Sequence, residues 1–77
     1  MGKKWKLPLP VPEENGVDHL VMEDDTTETG GFYVYYLNST DSNVGFDDWY
    51  EKAEHARNVA TEYGLSIDDW QLVESEN

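Results

Sequence analysis

The chain has 77 residues, with 17 Asp or Glu against 5 Lys or Arg, a net charge of −12 and no cysteine. A single domain of this size hides only about 60% of the surface its unfolded chain exposes, which leaves no room for a buried active-site cavity of ordinary size. The lack of thiols excludes disulfides and thiolate metal sites. The charge argues against direct binding to nucleic acid or to anionic membranes, because both depend on Lys and Arg neutralising phosphates.

Residues 5–12 carry Pro8, Pro10 and Pro12 at every second position, which removes backbone donors and fixes an extended path. This predicts that residues 1–16 form a Pro-rich arm or an edge strand, and that residues 17–77 supply the sheet and helix of the same single domain. Glu13-Glu14-Asn15-Gly16 is a turn, since Asn-Gly tolerates positive φ. Residues 17–23 read as a short strand, followed by a polar loop that ends at Gly30-Gly31.

Residues 32–38 have the aromatic and β-branched content of a strand. Alternation puts Phe32, Val34 and Tyr36 on one face, and Tyr33, Tyr35 and Leu37 on the other. Both faces are apolar, so the strand is either covered twice or meets a partner on its second face, and either residue set can be the one left open. After a Ser-, Asp- and Asn-rich turn, residues 46–50 fit a helical stripe or a strand by pattern alone. The strand reading is favoured, paired with 32–38, because adjacent aromatics suit a sheet. A helix over 52–63 then presents Ala53, Ala56, Val59, Ala60 and Tyr63 as its apolar face, with Gly64 placed for a left-handed cap. Ser66 to Asp69 resembles a capping box, and residues 70–73 return as a last strand. The expected fold class is α+β: a small antiparallel sheet of three to five strands packed on a single helix, in the order β-β-β-β-α-β.

Gly31-Phe32-Tyr33-Val34-Tyr35-Tyr36, Asp48-Trp49-Tyr50, Glu62-Tyr63-Gly64-Leu65 and Asp69-Trp70 together resemble a group of small uncharacterised bacterial proteins. That group shows an aromatic hairpin, a Trp-Tyr or Trp-Phe pair, a helix ending in Tyr-Gly and a following Asp-Trp. The resemblance covers residues 31–70, supports the strand reading of 46–50 and implies no activity. Ala53 stands here where the group usually has Leu.

Chemical sites are poorly provided for. His19 and His55 lie on different elements and there is no Cys, too few ligands for tetrahedral zinc. Asp41 to Gly45 departs from a calcium loop, with its glycine one position early and Lys52 where the last ligand would be. Glu23-Asp24-Asp25 with Glu28 is read as a solvated loop. Adjacent carboxylates such as Asp47-Asp48 point to opposite faces of a strand, so they do not form an acid–base pair. No metal, no cofactor and no catalysis are therefore expected.

No apolar run approaches the roughly 20 residues of a membrane span, and the Lys-rich start lacks the apolar core of a signal peptide. A cytoplasmic location is expected, and Asn38-Ser39-Thr40 is read as a chance match to a glycosylation acceptor. What remains is an acidic interaction module presenting Tyr33, Tyr35, Leu37, Trp49 and Asp47 to a protein partner. That partner is either a basic protein or a second copy, forming a homodimer. The alternative is a nucleic-acid mimic that blocks a basic DNA- or RNA-binding protein. The competing expectation, without a site, is that Trp5, Leu7, Leu9 and Val11 of the arm fold over the second sheet face.

Overall fold

The structure is a computed structural model that describes residues 2–73. Strands β1 (Lys4–Pro8), β2 (His19–Asp25), β3 (Gly31–Leu37) and β4 (Gly45–Tyr50) follow one another as an antiparallel meander. The chain then forms α1 (Ala53–Arg57), which continues as a 3-10 helix over Asn58–Tyr63. A 3-10 turn at Ile67–Asp69 leads into β5 (Gln71–Val73), which pairs antiparallel with β1. The sheet order is β4-β3-β2-β1-β5, an α+β domain with the expected element order.

The connection from β4 to β5 must cross from one side of the sheet to the other, and it can cross only one face. The 11-residue helical segment lies on that face against β2, β3 and β4. Its small side chains let it approach closely: Ala56, Val59 and Ala60 are buried, over Leu7, Leu20, Met22, Val34 and Tyr36. Leu7, Leu20, Met22, Val17 and Val34 are the largest fully buried side chains, and each contributes about 1.5–3 kcal/mol by leaving water.

The helix leaves α geometry at Asn58, where Thr61 Oγ1 donates to the Asn58 carbonyl at 2.7 Å. In the tighter helix, residues three apart eclipse, which aligns buried Ala60 with half-buried Tyr63. The indole of Trp70 donates to the Arg57 carbonyl at 3.1 Å, near where the α-helical ladder ends. Gly64 stops the segment in the left-handed conformation, at φ 74°. Ser66 caps the next turn: its hydroxyl accepts from Asp68 N at 3.0 Å, and Asp69 returns a carboxylate to Ser66 N at 2.8 Å.

Of the segment read as a Pro-rich arm or edge strand, Lys4–Pro8 form an interior strand, while Pro10 and Pro12 lie in the irregular connection to β2. β1 lies between β2 and β5, and Leu7 and Leu9 point into the helix-side core instead of covering the second face. Val11 is 76% exposed. The prolines remain compatible with this position because β5 pairs only with Lys4, Trp5 and Lys6, so the side of Pro8 that lacks a donor is already open. Residue boundaries shift slightly elsewhere, with β2 beginning two residues later than the 17–23 reading and β4 beginning at Gly45.

Candidate interaction surface

The register lays the face opposite the helix out in three rows. Trp49, Tyr33, Glu23 and Lys4 form the first; Asp47, Tyr35, Val21 and Lys6 the second; Gly45, Leu37, His19 and Pro8 the third. Tyr33, Tyr35, Leu37, Trp49 and Asp47 thus lie together on one surface, and Phe32, Val34 and Tyr36 face the helix. No side chain in these rows is buried.

The two central tyrosines stack with ring centroids 5.7 Å apart. Tyr35 donates its hydroxyl to Glu23 Oε1 at 3.0 Å. Partial burial, the bond to Glu23 and the nearby carboxylates hold the Tyr35 phenol up at about 12. Trp49 is fixed from two sides: its indole Nε1 donates to Thr29 Oγ1 at 2.8 Å, and its ring lies where a side chain at Gly31 would be. Contacts within the chain thus fix these aromatic side chains.

The charge on this face is graded. Lys4 and Lys6 stand on β1, Glu23 on β2 and Asp47 on β4, so the β4 side is acidic. Ordered acidic loops flank the face. Asp18 accepts from Ser39 N at 3.1 Å and from Ser39 Oγ at 2.7 Å, and its carboxylate lies 2.6 Å from His19 Nδ1. The bonds to His19 and Ser39 hold its carboxyl down at about 2. Asp24 accepts from Thr26 N and Oγ1 at 3.0 and 2.7 Å, which lowers its pKa. Asn38 Oδ1 accepts from Thr40 and Asp41 amides at 2.8 and 2.7 Å, closing the β3–β4 turn.

Val21, Glu23, His19, Lys4 and Lys6 also belong to this surface, which the sequence alone does not indicate. The alternation in His19-Leu20-Val21-Met22-Glu23 is legible in the sequence, but its register against β3 is not. The prolines that follow the lysines point instead to an arm.

The remaining chemistry is sparse. Among the described residues no three His, Asp or Glu side chains converge as a metal site. Asp47 lies opposite Tyr35 and Asp48 opposite Val34, on different faces of β4. An open cleft of about 410 Å³ lies beside Trp5, Phe32 and Arg57, where the Arg57 guanidinium sits 5.9 Å from the Trp5 ring. No helix among the described residues is long and apolar enough to cross a membrane. Comparison with family models, with curated proteins and with solved structures finds no match to this chain.

Proposed function

We propose that this chain is a non-catalytic, acidic interaction domain that binds a basic segment of a partner protein through the open aromatic face of its sheet. The observation that carries this reading is the continuous array of Trp49, Tyr33, Tyr35, Val21 and Leu37 on a face where no side chain is buried. Rigid amphipathic rings anchor interfaces at low cost in lost conformational freedom, and a charged rim steers the encounter. Beyond Lys6 the chain carries 17 acids against Lys52 and Arg57, a balance of −15. The rim therefore favours a cationic partner.

The nucleic-acid mimic ranks below this reading. Its carboxylates would need a regular ladder, and on this face Glu23 and Asp47 are interrupted by tyrosines and accompanied by Lys4 and Lys6.

The test is an NMR titration with a synthetic peptide that alternates Arg and Val. The expected result is movement of the Tyr33 and Tyr35 ring signals, and loss of binding in the folded double variant Tyr33→Ala, Tyr35→Ala. Undiminished binding by that variant overturns the reading, as does a dimer formed through these rings that excludes the peptide.

A further inference from the structure

β4 is one border of the sheet, and its outward side is bare. Among the described residues, no backbone or side-chain hydrogen bond reaches the amides and carbonyls of Gly45–Tyr50 from outside the strand ladder. Gly45, Phe46, Asp47, Asp48 and Trp49 are all exposed. Such a border is a template for another extended chain, which adds main-chain hydrogen bonds and reads alternate side chains on each face.

The side chains of β4 determine which chain can be added. Its centre reads Phe46-Asp47-Asp48-Trp49, apolar–acid–acid–apolar, with Asp47 and Trp49 on the open face and Phe46 and Asp48 on the helix face. A second copy is a poor occupant in the registers centred on the two acids. Antiparallel pairing of two such borders sets residues of the same face opposite one another, so centred on Asp47 it places that residue against its own copy, and centred on Asp48 it does the same for Asp48. Like charges directly opposite across a strand pair are destabilising. The same pattern favours a segment with two adjacent cationic residues flanked by apolar ones. The pattern is symmetric about its centre, so that segment fits in either chain direction.

We propose that the free border of β4 takes an extended segment of a partner protein, of the form apolar–Arg/Lys–Arg/Lys–apolar, as an added strand. Its cationic residues lie opposite Asp47 and Asp48, and its apolar residues lie opposite Phe46 and Trp49. Phe46 is already stacked on Tyr36, with centroids 4.5 Å apart, and Trp49 is held by Thr29 and Gly31. Both apolar contacts are thus ordered in advance, which lowers the cost of binding. This proposal rests on the interaction reading above and assigns its partner a backbone geometry and a charge pattern.

The experiment uses a synthetic peptide centred on Val-Arg-Arg-Val, a backbone N-methylated version, and a version centred on Val-Glu-Glu-Val. Binding is followed by hydrogen exchange of the β4 amides and by the Tyr33 and Tyr35 ring signals. The expected result is added protection of β4 amides by the first peptide and none by the methylated one. Asp47→Lys with Asp48→Lys, at two exposed positions, should weaken the first peptide about tenfold or more, as two attractive cross-strand pairs become repulsive. The same variant should gain affinity for the Glu peptide. Equal binding of the methylated peptide overturns the proposal, as does self-association of the chain through β4. Movement of the ring signals without β4 protection overturns it while leaving the open-face reading standing. No binding by any peptide overturns both.

Discussion

The indole of Trp49 lies across Gly31: a methyl group at that glycine would run into the ring and would stand 2.5 Å from the carbonyl oxygen of Tyr50. The requirement is one of space, since the glycines with positive φ are Gly16, Gly30 and Gly64. Gly31→Ala is expected to destabilise the fold by about 1–3 kcal/mol, the usual cost of forcing an extra carbon into a packed site. It should also shift the Trp49 indole resonance as the bond to Thr29 is strained. Urea unfolding and the indole NMR signal check this, and unchanged values of both would refute the packing described.

Asp18 ties the start of β2 to the β3–β4 turn, and it ionises at about 2 in the folded chain against an ordinary 3.8. A depressed carboxyl contributes stability in full above its unfolded value, and that contribution disappears as pH falls through the folded one. The stability gap between the wild type and Asp18→Asn should therefore be largest above about pH 4 and should close toward about pH 2. Asp24 acts in the same direction, so the comparison must be made variant against wild type. A gap that stays constant across this window would show that Asp18 contributes no linkage.

At the alkaline end the signs reverse in pH. Tyr35 and Tyr63 are each raised from 10 to about 12, first by burial and then by Glu23 and Glu13 respectively. Their contribution is present below pH 10 and is lost as pH rises toward 12. Absorbance titration of the phenols should show a late component that unfolding in urea converts to ordinary ionisation. Glu23→Gln should move only the Tyr35 part of it downward, and part of the way, because burial is the larger cause.

The close approach of helix and sheet makes a further prediction. Ala56 is fully buried, so Ala56→Leu should cost about 1–3 kcal/mol by overpacking. Glu54→Leu, on the exposed side of the same turn, should fall within about 0.5 kcal/mol of wild type. Chemical denaturation of the two variants decides the point, and equal midpoints would contradict the packing.

Much of the fold is legible because its local signals agree. The alternation of residues 32–38, the helical stripe from Ala53 to Tyr63 and the glycine at 64 each select an element without tertiary help. The face of β3 that meets solvent is not legible locally, because Phe32-Val34-Tyr36 and Tyr33-Tyr35-Leu37 are both apolar. That outcome is set by the side on which the β4–β5 connection crosses. The N-terminal prolines mislead for a related reason: they report correctly that Pro8 has an open side, but they cannot report that a short β5 covers Lys4 to Lys6 just before it. The sequence pattern therefore does not reveal that Lys4 and Lys6 share this surface.

The pairing of Lys4 with Val73 has a consequence for how this domain can be built into larger chains. The first residue of β1 and the last of β5 share one corner of the sheet, so a short linker between them could close the chain into a ring. New ends could then be cut in the exposed turn at residues 39–43. That corner is separated from β4 by β2 and β3. A reporter domain joined at that corner would thus be carried at the far edge of the sheet from Phe46, Asp47, Asp48 and Trp49, and would leave that border open.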